Sequence, residues 1–249
     1  MSAIACIVGS GFSPERFAVR QHEAVDTPFG ATSAPIWTTT FGDVEVHLLA
    51  RHGLDHQWAP HAVNYRANIR ALRDIGVRYC IGINVVGGID ARLSPGALAV
   101  PHQLIDYTWG RECSFSSGDA VVNHIEFTDP FSVVVRAALE AGCARAGLPV
   151  LTGVYGVTQG PRLETAAEID RLEHDGCAMV GMTAMPEAAL AREAGIEYGI
   201  LAGVVNHAAG RAPGGRSLHE EILQVVDTVM TAAERVVAHA TGILAAEDL

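Results

Sequence analysis

The sequence predicts an α/β fold in which helices flank a central sheet, and three observations support this. The chain has 249 residues, of which 49% are hydrophobic, enough to form one large packed core. Short runs rich in Val, Ile and Ala alternate with longer stretches of helical period, as buried strands and their covering helices do. Composition is uniform along the chain and no repeat is present, so we expect a single domain over residues 1–249.

Apolar runs and turn residues place the elements in order. The opening run AIACIV is a strand, and Ser13-Pro14 soon after it has the form of a helix start. In the final helix, Ile222, Val226 and Val229 recur at helical spacing, and the preceding AAGRAPGGR (208–216) is predicted as a mobile loop. The predicted strands span residues 3–8, 44–50, 79–86, 97–100, 151–157, 179–181 and 198–205. The predicted helices span residues 63–74, 133–146, 164–175, 187–194 and 218–244.

Charge and composition exclude several classes of function. All 17 basic residues are arginines, which excludes Schiff-base catalysis, pyridoxal-phosphate attachment, the Walker phosphate loop and protein kinases, because each of these needs a lysine. The net charge of −11 argues against a nucleic-acid or anionic-membrane partner. The five cysteines have no disulfide or zinc spacing, and neither a secretory signal nor a membrane span is found, so we expect a cytoplasmic protein.

Two segments carry residues suited to binding a phosphate. Ser10 lies in a Gly-Ser-Gly turn directly after the first strand, where backbone N–H groups and a hydroxyl can point at one anion. Arg51 and His52 close a strand, and a guanidinium can hold phosphate through two parallel hydrogen bonds while the imidazole donates another. The alternatives are an ordinary turn for Ser10 and, for His52 with His56 and His61, a metal site or a solvated loop; no zinc pattern is complete, so we predict no metal.

Three further polar residues stand at strand or helix ends. Glu164 opens a predicted helix after a Gly-Pro break, where its alternative role is to interact with the helix dipole. Thr183 places a hydroxyl at the end of one buried strand, and Asn206 lies at the end of another. Ligands of open α/β sheets collect at such strand ends.

Six strings in this order resemble the trimeric purine nucleoside phosphorylase and methylthioadenosine phosphorylase family, and are most similar to its bacterial methylthioinosine phosphorylase branch. The resemblance implies a single-domain phosphorylase/hydrolase-like fold with a mixed sheet, a homotrimer, and inorganic phosphate as co-substrate without a cofactor. The reaction it implies is phosphorolysis of a purine nucleoside to the free base and a ribose 1-phosphate. The strings are ARHG (50–53), VNYRANI (63–69), NVVGGI (84–89), PHQLIDYT (101–108), TQGPRLET (158–165) and GMTAMPEAALARE (181–193).

The resemblance also implies roles for individual residues. Phosphate ligands are expected at Ser10, Arg51, His52 and Thr183, with the backbone of Val85 beside them. Substrate contacts are expected from Met182 under the ribose, from Leu163 where some relatives have a phenylalanine against the base, from Ala208, and from His124, which reaches the neighbouring subunit's site. His219 matches a histidine that meets a ribose 5'-hydroxyl in ordinary purine nucleoside phosphorylases, whereas methylthio-specific relatives are apolar there; its alternative is a surface histidine. His207 stands where a proline is expected.

Glu164 and Asn206 match a glutamate–asparagine pair found in the family branch that acts on 6-oxopurines. The branch that acts on 6-aminopurines has an aspartate in place of the asparagine. A carboxylate accepts a hydrogen bond from N1–H of hypoxanthine or guanine, and an amide donates toward O6 or N7. Adenine has no N1–H, so we predict a 6-oxopurine nucleoside as substrate, with Asn206 and His52 as catalytic residues. The alternatives are a 6-aminopurine (methylthioadenosine) phosphorylase, a nucleosidase that uses water, and a non-catalytic purine-nucleoside-binding protein.

Overall fold

The computed structural model describes residues 3–11, 19–21, 25–116, 122–213 and 218–247. Thirteen strands lie in this part of the chain, eleven of them in one mixed sheet. The strands are β1 (Ala3–Val8), β2 (Arg20–Gln21), β3 (Asp26–Thr27), β4 (Gly30–Ala31), β5 (Ile36–Phe41), β6 (Val44–Ala50), β7 (Val77–Gly88), β8 (Leu98–Ala99), β9 (Gln103–Asp106), β10 (Val150–Leu151), β11 (Val154–Val157), β12 (Cys177–Gly181) and β13 (Glu197–His207). The helices are α1 (Tyr65–Asp74), α2 (Val133–Arg145), α3 (Ala166–His174), α4 (Ala184–Glu193) and α5 (Leu218–Ala246).

Strand β7 is the centre of the sheet and the place where the sheet divides. On one side it pairs in parallel with β13 along most of its length. On the other side its first half pairs in parallel with β1 as far as Ile83, while Gly87 and Gly88 pair with the antiparallel β12. The edge of β7 between Ile83 and Gly87 therefore faces a cleft between the ends of β1 and β12.

The rest of the topology extends from these two branches. Parallel β6 pairs with β1, and antiparallel β5 and β2 continue that side. The other branch runs from β12 to β11 and β9, and β13 carries β8 and β10 on its far edge. The two-residue strands β3 and β4 form a separate hairpin.

Side-chain hydrogen bonds fix the helix starts. Asn64 caps α1 by accepting from the N–H of Ala67, and Ser132 caps α2 by accepting from Val135. Thr165 and Glu168 form a capping box at α3, in which each side chain accepts from the other residue's backbone N–H. One apolar core joins the sheet to α1, α2, α4 and α5. No helix in the described ranges is both long and apolar enough to cross a membrane.

The α/β prediction is confirmed, and the bounds of β1 and β6 match those predicted. The predicted strand 151–157 is wrong as a single unit, because β10 pairs with β8 whereas β11 lies between β12 and β9. Among the strands longer than two residues, two were not predicted: β5 (IWTTTF), whose three threonines weaken its apolar signal, and the four-residue β9. The helix start at Ser13 lies outside the described residues, as do positions 214–216 of the predicted loop.

Candidate active site

A cavity of about 470 Å³ occupies the cleft beside β7. Its walls come from the turn after β1, the segment after β6, the middle of β7, and the ends of β12 and β13. These are mostly carboxyl ends of strands, the position at which α/β sheets bind ligands. The predicted site residues on its walls are Ser10, Arg51, His52, Val85, Leu163, Glu164, Met182, Thr183 and Asn206.

Arg51 is held by a fully buried ion pair that its sequence context did not reveal. Its Nε and Nη2 atoms donate to the two carboxylate oxygens of Glu187, at 2.7 and 2.8 Å. Burial alone would lower the pKa of Arg51, but the charge and hydrogen bonds of Glu187 outweigh that effect and raise it. The two-bond fork expected to hold phosphate is thus already taken by Glu187. This corrects the predicted geometry, because among the described contacts of Arg51 only Nη1 keeps an N–H without an acceptor.

Nη1 donates to the carbonyl of Ile83 at 3.3 Å and retains a second hydrogen. It lies next to the turn that carries Ser10: a Cβ added at Gly9 would stand 2.8 Å from Nη1. Glycine at position 9 therefore allows the guanidinium to approach the turn. One Arg51 N–H and the Ser10 hydroxyl meet at the same wall of the cavity.

His52 accepts, rather than donates, on its cavity side. Its Nδ1 lies 2.7 Å from the carbonyl oxygen of Trp58, which can only accept, so Nδ1 carries the hydrogen. Burial and the charge of Arg51 lower the pKa of His52 to about 4. The ring is therefore neutral at pH 7, and Nε2 carries a lone pair. The expectation that His52 donates to phosphate is replaced by one in which it accepts from a protonated phosphate oxygen.

Thr183 occupies the capping position of α4 without capping the helix. Its side chain makes no hydrogen bond to the helix backbone. Its Oγ1 accepts instead from Nδ2 of Asn84 at 3.0 Å, while the residue lines the cavity. Regular helix begins at Pro186, one residue before the predicted start at Glu187, because Met185 has extended φ/ψ angles of −116° and 139°. The hydroxyl proton of Thr183 is left for a ligand.

Glu164 lies before α3, not in its first turn, which corrects the predicted helix start. Thr165 is the capping residue, and Glu168 is the first-turn carboxylate. Glu164 is instead oriented by Thr158, whose hydroxyl donates to its Oε1 at 2.6 Å. Interaction with the helix dipole does not explain this position. The carboxylate is held at the cavity wall by a neighbouring strand end.

An irregularity in β13 directs Asn206 toward the cavity. The register with β7 shifts between Val204, which pairs with Val86, and Asn206, which pairs with Gly87. Such bulges turn side chains toward functional sites. Nδ2 of Asn206 donates to the carbonyl of His207 at 2.6 Å, which leaves its second hydrogen and Oδ1 for a ligand.

Three predicted contact residues lie off this cavity wall or outside the described side chains. Ala208 is packed in a small core cluster, and Ala209 lines the cavity in its place, because the backbone N–H of Ala208 is tied to Gly88 in the sheet. His124 is exposed away from the cavity of its own chain. The side chain of His219 lies outside the described residues, although its backbone belongs to α5. Met182 and Val85 line the cavity as expected.

Sequence reasoning missed two features that shape the cavity. The segment 56–60 forms one wall, where Trp58 also receives the His52 hydrogen bond through its carbonyl. Arg111 donates to the carbonyls of Met182 and Gln159, each at 2.8 Å, and so ties together the segments that carry Met182 and Glu164. Neither feature has a periodic or spacing signal. The NVVGGI and MTAMPE strings were the only signals for Asn84 and Glu187.

The sequence and the fold of the chain are similar to those of known phosphorylases. Residues 3–241 match the family model described as the phosphorylase superfamily. The chain is 48% identical over 229 residues to a probable S-methyl-5'-thioinosine phosphorylase of Xanthomonas campestris pv. campestris, covering 90% of this chain and 91% of the relative. It is 39% identical over 233 residues to a 6-oxopurine nucleoside phosphorylase of Pyrococcus furiosus, covering 91% and 87%. A methylthioadenosine phosphorylase crystal structure from an Antarctic soil metagenomic library has a TM-score of 0.91 at 32% identity, covering 100% and 88%.

Proposed function

The chain belongs to the phosphorylase superfamily, and from this premise we propose that it cleaves 6-oxopurine nucleosides with inorganic phosphate. The products are the free purine base and ribose 1-phosphate or its 5-methylthio analogue. The enzyme is thus a pentosyltransferase. One observation carries the proposal: Glu164 and Asn206 share a single cavity with the phosphate set Ser10, Arg51, His52 and Thr183.

The phosphate set supplies donors and one acceptor to a protonated phosphate. Donors are the Ser10 hydroxyl, one Arg51 N–H and the Thr183 hydroxyl, and Nε2 of His52 accepts from the phosphate hydroxyl. A phosphate oxygen then attacks C1' as the bond from C1' to N9 breaks, and the electron pair of that bond passes to the purine. The purine anion then takes a proton from water to give the free base. Holding both reactants in line removes most of the entropic cost of their encounter. His52 is a catalytic residue in this scheme because it touches the nucleophile.

The base end of the cavity stabilises the leaving purine. Glu164 accepts from N1–H, and the free Nδ2 hydrogen of Asn206 donates to N7 or O6, where negative charge develops. A donor aimed at such charge contributes on the order of 3 kcal/mol to the barrier. Thr158, by donating to Oε1 of Glu164, keeps the carboxylate oriented for this contact.

Adenine presents a lone pair at N1, which faces the Glu164 carboxylate without a hydrogen between them. The alternative function on 6-aminopurines is therefore less favoured, although the structural relative described above is a methylthioadenosine phosphorylase. A purely binding role is a second alternative. A role limited to binding nucleosides does not explain why Arg51 and Thr183 place hydrogen-bond donors for phosphate in the same cavity.

For the 5' position of the sugar we propose a methylthio group. Ile222 from α5 lines the cavity together with Met182, giving this region an apolar wall. The relative of Xanthomonas campestris is named for such a substrate. Comparing turnover of S-methyl-5'-thioinosine with that of inosine tests this point: higher kcat/KM for inosine would overturn it.

We further propose a cytoplasmic homotrimer that needs no cofactor beyond its co-substrate phosphate. Large apolar side chains are exposed on the single chain, among them Trp109, Val133 and Leu223, and burial between copies would remove them from water. All five cysteines are free thiols, as a reducing compartment requires. Sedimentation equilibrium at several concentrations tests the assembly, and a monomer throughout would refute it.

Phosphate dependence tests the main proposal. Incubation with S-methyl-5'-thioinosine should release hypoxanthine only when phosphate is present, with the sugar recovered as its 1-phosphate. Release of base at the same rate without phosphate would identify a nucleosidase. No release from any purine nucleoside would leave only the binding role.

A further inference from the structure

We propose that Glu187 and Asn84, neither of which lines the cavity, are the positioning residues that aim Arg51 and Thr183 at phosphate. The inference rests on the proposed function, since it concerns the phosphate half of the same cavity, formed by Ser10, Arg51, His52 and Thr183. The chain of contacts runs from Tyr198 through Glu187, Arg51 and Asn84 to Thr183.

Glu187 determines which face of Arg51 remains available. It is fully buried on α4, and its carboxylate pairs side-on with Nε and Nη2 at 2.7 and 2.8 Å. Tyr198 donates to Oε1 of the same carboxylate at 2.6 Å, and burial and the Glu187 charge raise the pKa of this hydroxyl well above its usual value. Glu187 is thus fixed from both sides. Only Nη1 of Arg51 remains to approach the Gly9–Ser10 turn.

Asn84 connects Arg51 to Thr183 and orients the Thr183 hydroxyl. Its Oδ1 accepts from Nη2 of Arg51 at 3.0 Å. Because a guanidinium can only donate, this contact decides the orientation of the amide and places Nδ2 on the other side. There Nδ2 donates to Oγ1 of Thr183 at 3.0 Å. An oxygen that already accepts from Asn84 directs its own hydrogen elsewhere, which for Thr183 is the cavity.

The buried pair also leaves the phosphate site with little net charge. Glu187 neutralises Arg51, and His52 is neutral at pH 7 because burial lowers its pKa to about 4. Positioning and simple attraction consequently predict opposite signs for one substitution. If Glu187 only weakens the attraction of Arg51 for an anion, Glu187→Gln should tighten phosphate binding; if it positions Arg51, the same change should weaken it.

The test measures initial rates against phosphate at saturating S-methyl-5'-thioinosine, and against nucleoside at saturating phosphate. We expect Glu187→Gln and the uncharged variant Asn84→Leu to raise the KM for phosphate about 10- to 100-fold, the effect of losing one hydrogen bond to a charged group. The KM for nucleoside should change less than about twofold, since these substitutions do not alter the base half of the cavity, formed by Leu163, Glu164 and Asn206. A lower or unchanged KM for phosphate in both variants would overturn the inference.

Asn68→Leu is the matched control for disturbing a buried amide. Asn68 is 1% exposed and bridges the backbone N–H and hydroxyl of Ser33 in the same two-sided way, and it does not line the cavity. It should leave both KM values unchanged, whatever its effect on thermal unfolding. An equal rise in the KM for phosphate would mean that the Asn84 effect is only structural, and would overturn the inference.

Two further variants keep the test decisive if Glu187→Gln does not fold. Tyr198→Phe removes one hydrogen bond to Glu187 and should raise the KM for phosphate by a smaller factor of about 3 to 10. Asn84→Leu combined with Thr183→Val should raise the KM for phosphate by less than the product of the two single effects, because Asn84 acts in part through that hydroxyl. Additive losses, or no change in Tyr198→Phe, would contradict the inference. A wild-type protein without phosphate-dependent cleavage would instead refute the proposed function.

Discussion

The two halves of the cavity are built in different ways. In the phosphate half, Arg51 and Thr183 are tied into buried side chains on β7, α4 and β13. In the base half, Glu164 and Asn206 each have one hydrogen bond from or to a near neighbour in the chain, and Leu163 is 43% exposed. Under the proposed function, the co-substrate phosphate would bind to this buried hydrogen-bonded network, whereas the base would bind to residues with few other side-chain contacts.

Removing Arg51 should have the largest effect, because it breaks the rigid half at its centre. Arg51→Met leaves the Glu187 carboxylate buried without its partner, and we expect the free energy of unfolding to fall by about 3–5 kcal/mol. Urea denaturation measures this change. Arg70→Met is the control, since Arg70 forms an exposed pair with Asp74 that is worth at most about 1 kcal/mol. Equal decreases in the free energy of unfolding in both variants would contradict the expected difference between the buried and the exposed ion pair.

Low pH should reduce the free energy of unfolding through His52, which lies in the phosphate half of the cavity. The folded protein holds the pKa of His52 at about 4, whereas the unfolded chain has the ordinary value of about 6.5. The unfolded state therefore binds a proton first, and stability is lost as pH falls from about 6.5 to about 4, by about 3 kcal/mol in total. His52→Gln should remove this part of the pH dependence in denaturation curves. The exposed His61→Gln should keep it, and a flat wild-type profile would disprove the assignment.

Asn206→Asp should change selectivity in the base half of the cavity. A carboxylate at this position accepts from an exocyclic amine, whereas the asparagine amide donates toward O6 or N7. We expect the ratio of kcat/KM for S-methyl-5'-thioinosine over S-methyl-5'-thioadenosine to fall by about 100-fold. An unchanged ratio would mean that Asn206 does not face the base.

Leu163→Phe should have the smallest effect of these. An aromatic ring at this partly exposed wall can stack on the purine, which contributes about 0.5–1.5 kcal/mol. The KM for nucleoside should fall by about 2- to 10-fold with the KM for phosphate unchanged. A change in the KM for phosphate would show that the two halves are coupled.

Much of the site is predictable from short sequence signals, because it lies at strand ends. Ser10 follows β1 and Arg51 follows β6, and since these strands are parallel neighbours, their carboxyl ends meet. The sequence does not reveal which buried partner each residue finds. Glu187 meets Arg51 across 136 positions of the chain, a contact that depends on how β7 divides the sheet.

The failures of prediction have related causes. Strand 151–157 reads as one apolar run, but its two halves pair with different branches of the sheet. Glu164 resembles a first-turn helix residue until the capping box of Thr165 and Glu168 places it outside the helix. The tautomer of His52 depends on a carbonyl six residues along the chain, which no residue pattern specifies.

We propose that Glu164 and Asn206 select a 6-oxopurine beside a preorganised phosphate site. Competition between S-methyl-5'-thioinosine and S-methyl-5'-thioadenosine at saturating phosphate, with both released bases followed, tests this selectivity. We expect hypoxanthine in excess over adenine by a factor of about 100 or more. Equal release, or an excess of adenine, would contradict it.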